Sequence, residues 1–180
     1  MTTKRQFFEV DYYYCPRCKN ELKFKLIDGK KRLHCQRCDF IFYNNPKPVV
    51  SGLLIKNKEV LLIKRNDKKA SFYGYWSLPG GILEIDEEPK KGLEREFAEE
   101  TGIAVRAGKI INGYLIKHYQ TGRQSYASVD IVFEVGAKKI YLNKFNQKEV
   151  SKIDFFSIKN LPKKIAFGHK KIIINYLNKL

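Results

Sequence analysis

Gly81-Ile-Leu-Glu-Ile-Asp-Glu-Glu-Pro-Lys-Lys-Gly-Leu-Glu-Arg-Glu-Phe-Ala-Glu-Glu-Thr-Gly-Ile103 carries eight of the nineteen carboxylates of an otherwise basic chain. Pro79-Gly80-Gly81 ahead of it forces a turn in which backbone can approach a ligand closely. Asp86 is the predicted N-cap, Pro89 falls in the first helical turn, and Gly102 ends the helix, which gives about four turns. Glu96, Glu99 and Glu100 stand at i, i+3 and i+4 and therefore share one face. Like charges so placed repel by roughly 0.2–0.5 kcal/mol per pair, and they lie at the helix end where the dipole disfavours anions. A divalent cation reverses the sign of each interaction, and hard carboxylate oxygens suit Mg²⁺ or Mn²⁺. Leu93 and Phe97 on the adjoining face can anchor the helix to a sheet, and Arg95, four residues before Glu99, can orient that carboxylate.

Working outward, Val49 to Ile55 and Glu59 to Lys64 read as two strands of a hairpin around Lys56-Asn-Lys58, and Asp67 to Gly74 as loop. Lys109 to His118, Ser128 to Val135 and Ile153 to Ser157 read as further strands. His169 to Leu180 places Ile172, Ile173, Tyr176, Leu177 and Leu180 on one face of a second helix, a core-facing stripe. Nearer the N-terminus, Cys15-Pro-Arg-Cys18 and Cys35-Gln-Arg-Cys38 are two knuckles sixteen residues apart, a zinc-site spacing. Four thiolates close a tetrahedron and leave no place for water, so Cys15, Cys18, Cys35 and Cys38 are expected to hold a structural Zn²⁺. His34 is not needed as a ligand and reads as a packing histidine. The expected division is a zinc ribbon over residues 1–44 and a larger domain over 45–180, joined near Tyr43-Asn-Asn-Pro-Lys-Pro48.

The chain has 180 residues, 43% of them hydrophobic, with 35 Lys+Arg against 19 Asp+Glu and a formal charge of +16. That surplus attracts phosphate-rich partners without naming them. No run of 18 apolar residues is present, so no membrane span is expected, and the first ten residues lack the apolar core of a signal peptide. The expected location is the cytoplasm.

Gly81, five residues, Glu87, seven residues, then Arg95-Glu96-Phe97-Ala98-Glu99-Glu100-Thr101-Gly102-Ile103 resembles the complete Nudix box. The approach Gly74-Tyr-Trp-Ser-Leu-Pro-Gly-Gly81 also resembles that family, and the resemblance extends more loosely over Val49 to Leu180. A cysteine ribbon ahead of the domain resembles the NADH-pyrophosphatase branch. The resemblance implies an α/β/α sandwich with a mixed sheet that hydrolyses a nucleoside diphosphate linked to another moiety. It further implies Glu96, Glu99, Glu100 and the Gly81 carbonyl as ligands of Mg²⁺ or Mn²⁺, Arg95 as the residue that orients a carboxylate, and Glu87 as support for the loop–helix junction. One carboxylate must take a proton from water, and Glu100 and Glu149 are the candidates.

Substrate choice lies outside the box. The Trp- and Pro-containing motif of the NADH-pyrophosphatase branch has no counterpart, because Trp76 is the only tryptophan and no proline lies between Pro89 and Pro162. The proline that marks many ADP-ribose pyrophosphatases is missing for the same reason. Tyr119 stands where diadenosine-polyphosphate hydrolases tend to have tyrosine, and Arg65 and Trp76 are further candidates for substrate binding. Substrates of ADP-ribose, NAD(H) or dinucleoside-polyphosphate type remain open. So do two alternatives: a nucleic-acid-binding ribbon with a nucleotide-sensing domain, and a hydrolase of capped RNA 5′ ends. The expected partners are a small nucleotide and RNA, with no membrane, and a homodimer is an option the family commonly takes.

Overall fold

The computed structural model describes residues 12–120 and 123–179, with the side chains of 119, 120 and 123–125 outside the description. The ribbon consists of β1 (Lys23–Ile27), β2 (Lys30–His34) and β3 (Ile41–Phe42), an antiparallel sheet in the order β1-β2-β3. Asp28 and Gly29 both take positive φ in the β1–β2 turn, the two-residue hairpin geometry that matches strand twist. Its core is small: Cys15, Leu22, Leu33 and Cys35, with Phe40 and Phe42 packed alongside. His34 is buried, and its Nε2 meets Asp39 Oδ1 at 3.2 Å, which makes it a packing histidine.

The larger part contains β4 (Lys47–Lys56), β5 (Glu59–Arg65), β6 (Trp76–Ser77), β7 (Gly80–Ile82), α1 (Pro89–Thr101), β8 (Val105–Gln120), β9 (Arg123–Ala137), β10 (Val150–Ser157) and α2 (His169–Leu177). The sheet order is β10-β5-β4-β9-β8, with β6 on β5 and β7 on β4. The β4–β9 pair is parallel and its neighbours are antiparallel, so the sheet is mixed. Leu93 and Phe97 of α1 pack with Val50, Leu61 and Phe133 on one face. Ile172 and Ile173 of α2 pack with Leu53, Leu62 and Val132 on the other. Alternate residues of β4 and β5 thus enter opposite cores, as period-2 alternation in a sheet covered on both faces requires. The architecture is the expected α/β/α sandwich.

One departure shapes the site. β4 and β5 pair only at their hairpin end, Ile55 with Val60 and Lys56 with Glu59. Beyond that they splay, and the segment from Trp76 to Ile82 enters the gap, pairing first with β5 and then with β4. A second correction concerns α1: Glu88, not Asp86, is its N-cap, and Pro89 is the first helical residue. The reason is local. Glu87 N–H donates to the Glu84 carbonyl and the Glu87 side chain accepts from Glu84 N–H, so residues 84–87 form a closed turn before the helix begins. At the other end Gly102 adopts φ 70° and donates to the Ala98 carbonyl, a left-handed cap. Among the described residues no helix is long and apolar enough to cross a membrane.

Candidate active site

A cleft of about 410 Å³ opens where β4 and β5 part. One end is lined by Gly80, Gly81, Glu96, Glu100, Glu149 and Arg65. Gly80 takes φ 151°, and a Cβ there would overlap the Val50 carbonyl, so only glycine allows the chain to lie this close to β4. Its N–H donates to Glu100 Oε2 at 2.8 Å, fixing that buried carboxylate against the loop. Burial raises the Glu100 pKa to about 8, with Glu96 and Glu149 adding repulsion while the Gly80 amide and Arg65 oppose the shift. Burial also pushes Glu96 upward, against the pull of Arg95.

Arg95 organises the helix face. Its guanidinium grips both oxygens of Glu87, donates to Glu96 Oε1 at 2.9 Å and to Glu99 Oε2 at 3.0 Å. The fork-like donor set of arginine is what makes three carboxylates reachable from one side chain. The hydrogen bond to Arg95 holds the Glu87 carboxyl down at about 2. Glu99 is exposed and does not line the cleft, although it shares the helix face with Glu96 and Glu100. Glu149 comes from the turn before β10 and is drawn in by its backbone: Asn66 N–H donates to the Glu149 carbonyl at 2.7 Å, and the Asn66 amide donates to Gln147.

The other expected residues are placed unequally. Arg65 lines the cleft, with its guanidinium 5.0 Å from the centre of the Phe167 ring. Trp76 does not line it: the indole packs edge-on to Phe156, 4.7 Å between centroids, in the core under α2. It is held there by pairing with Lys64, which turns its side chain away from the cleft. The Tyr119 side chain lies outside the described residues. Sequence reading missed the far end of the cleft, where Ser51, His118, Ser128, Asp130 and His169 meet. The available signal was an aspartate inside the apolar strand Ser128-Val-Asp-Ile-Val-Phe133, which is out of place unless it is partnered.

In the ribbon the four cysteine sulfurs lie within 4.8 Å of one another, with Cys15–Cys38 at 3.5 Å and Cys18–Cys35 at 3.4 Å. A tetrahedron with Zn–S bonds of about 2.3 Å has edges of about 3.8 Å, so this donor set fits zinc. Burial would raise the Cys35 thiol, but the Cys38 amide, the Cys18 thiol and the Arg37 amide outweigh it and bring it to about 6. The glutamates form no such closed group. They present separate oxygens to an open cleft, the way Mg²⁺ is held when substrate phosphates complete its shell.

The Nudix domain family matches residues 45–176, and the family described as Nudix N-terminal, a zinc ribbon, matches residues 13–44. The chain belongs to the Nudix family. A Nudix hydrolase of Nitrosomonas europaea superposes with a TM-score of 0.76 at 26% identity, over 93% of this chain and 92% of that one. This Nudix chain is also 31% identical to a protein of Methanocaldococcus jannaschii named ADP-ribose pyrophosphatase, over 75% of each chain. A 66-residue part, 36% of this chain and 40% of the other, is 41% identical to a MutT-like protein of Streptomyces ambofaciens. This Nudix protein is a pyrophosphohydrolase by membership and by its relatives.

Proposed function

We propose that the protein hydrolyses the pyrophosphate linkage of a nucleoside diphosphate sugar of the ADP-ribose type, with Mg²⁺ or Mn²⁺. The observation that carries this reading is the convergence of Glu96, Glu100 and Glu149 with the Gly80–Gly81 backbone and Arg65 on one cleft. Glu96, Glu99, Glu100 and the Gly81 carbonyl would hold the cations, whose chemistry is to neutralise the diphosphate and acidify a bound water. Arg65 offers a charge-assisted donor to a phosphate oxygen. Glu100 is tethered to the Gly80 amide, which leaves the more exposed Glu149 as the carboxylate free to accept the water's proton. Arg95 Nη1 bridges Glu96 and Glu99, and releasing them to a cation would leave the arginine anchored on Glu87. The relative named ADP-ribose pyrophosphatase supports this substrate type. A cytoplasmic setting is part of the proposal, because free cysteines must stay reduced to bind zinc.

The deciding experiment is a substrate panel with Mg²⁺, scored by product: ADP-ribose, NADH, dinucleoside polyphosphates, nucleoside triphosphates, and 5′-triphosphate and capped RNA. ADP-ribose converted to AMP and ribose 5-phosphate is the expected result, lost in both Glu99→Gln and Glu100→Gln while the proteins stay folded. Activity retained in both variants would overturn the metal-face assignment.

A second reading, RNA 5′ ends as substrate, is favoured by the ribbon surface. Tyr13 and Tyr14 are exposed beside Arg17, Lys19, Lys23 and Lys25, the aromatic and basic combination that holds single strands. Tight, salt-sensitive RNA binding with cleavage confined to the RNA members of the panel would select it. Light scattering on the same samples tests the homodimer.

A further inference from the structure

We propose that Asp130 selects the base of the substrate by accepting a hydrogen bond from its amino group, so that the cleft takes an adenine-type purine. This rests on the hydrolase reading above, since it assumes that the nucleoside is attached to the diphosphate held at the glutamate end.

Asp130 sits in β9 opposite Tyr114 of β8 and beside Val49 of β4, and is 1% exposed. Three donors converge on one of its oxygens, Oδ2: Ser51 Oγ at 3.0 Å, the Tyr114 hydroxyl at 3.1 Å and His169 Nε2 at 3.0 Å. The roles are fixed by their surroundings. Leu78 N–H donates to His169 Nδ1 at 3.0 Å, which leaves the proton of a neutral imidazole on Nε2. The Tyr114 hydroxyl keeps its proton, because burial and then the Asp130 charge raise its pKa. The other oxygen, Oδ1, is buried with no partner. A buried acceptor left unpaired is costly, and a native protein keeps one where something else supplies the donor. Three elements, β4, β8 and α2, pin the carboxylate, so it cannot swing toward a partner; the donor has to be brought to it.

The surrounding shape indicates what brings it. Asp130 lines the same cleft as Glu96 and Glu100. Its walls are apolar at Ile116 and Leu78, and flat where His118 stacks on Tyr126 with 4.1 Å between centroids and 9° between planes. A planar heterocycle fits such walls, and a fixed acceptor at the floor attracts an amino group while repelling a carbonyl oxygen.

The test is calorimetric binding of AMP, IMP and purine-riboside 5′-monophosphate without metal, which does not depend on turnover. AMP is expected to bind about 10- to 100-fold more tightly than either analogue, the worth of one charge-assisted hydrogen bond. Asp130→Asn, with its amide nitrogen turned to the ligand, is expected to invert the order so that IMP exceeds AMP. Equal binding of AMP and the purine riboside, a wild-type preference for IMP, or an equal loss of all three in Asp130→Asn would each overturn the proposal. The wild-type comparison stands even if the variant misfolds. Selective AMP binding without cleavage of any diphosphate would sink the hydrolase substrate proposal and leave the base reading intact.

Discussion

The carboxyl group of Glu96 occupies the space that a side chain on Gly81 would fill. The two glycines of this turn therefore answer to different constraints, one to a functional carboxylate and one to the backbone. Gly81→Ala meets only the far end of a flexible side chain, so the protein should fold with little change in Tm. Its Glu96 carboxylate is displaced, and hydrolysis is expected to fall about 100-fold, the cost of a misplacement near 1 Å at a reacting centre. Gly80→Ala instead drives a methyl group into the Val50 carbonyl at a φ of 151°, and roughly 3 kcal/mol of stability should be lost. Thermal scans and kcat of the two variants separate the effects. Equal destabilisation would show that Gly81, too, is a backbone requirement.

The Glu87–Arg95 pair is an acid-sensitive tie between turn and helix. Arg95 holds the Glu87 carboxyl at about 2, below its ordinary value of 4.5. A depressed folded-state pKa contributes stability that is complete above the unfolded value and disappears as pH falls from about 4.5 through 2. Glu87→Gln is expected to lower Tm at pH 7, and the gap from wild type should close as pH approaches 2. A gap that stays constant across that range would show that the pair contributes shape and no linkage. Arg95→Lys keeps the charge but not the fork, and should weaken metal-dependent activity with a smaller loss of Tm.

Among the described residues of the ribbon, the packed core consists of Cys15, Leu22, Leu33 and Cys35 with Cys18, Cys38, Phe40 and Phe42 against it. Burial on that scale cannot offset the ordering of some thirty residues, so metal binding is expected to supply the difference. The purified protein should carry one zinc per chain by atomic emission. Chelation or Cys35→Ser should abolish the ribbon's own unfolding transition. Among the described residues the two cores of the larger part draw none from the ribbon, so the larger part's transition should persist. Full retention of ribbon structure after zinc removal would overturn this account.

Local chemistry made much of this molecule readable in sequence. The α1 carboxylates declare themselves because their repulsion makes sense only against a cation, and Gly102 and Pro89 punctuate the helix within a few residues of it. Strand ends were harder. β8 runs from Val105, four residues before its alternation becomes legible, because register shifts between Ala107, Ile110 and Asn112 break the period. Trp76 reads in sequence as a candidate substrate-binding aromatic, while its pairing with Lys64 and its packing on Phe156 place it in the core. Asp130 shows in sequence only as an acid inside an apolar strand, and what it meets stays hidden because its partners Ser51 and His169 stand 79 and 39 residues away. Long-range convergence of that kind comes from sheet topology, and no spacing rule carries it.

Glu149 is the candidate proton acceptor whose place at the cleft depends on topology. As a sequence feature it is one acid among lysines. In the fold its backbone is held by Asn66, and Val150 beside it pairs with Arg65, so the residue lines the cleft together with Glu96 and Glu100. If it accepts the water's proton, Glu149→Gln should lower kcat by about 10²- to 10⁴-fold with KM and Mg²⁺ dependence nearly unchanged. Glu100→Gln should differ, since a ligand lost from the metal face weakens the Mg²⁺ response as well. Titrating kcat against Mg²⁺ for both variants therefore separates a proton acceptor from a ligand. If Glu149→Gln keeps wild-type kcat, the base is Glu100, and Glu149 only shapes the field around it.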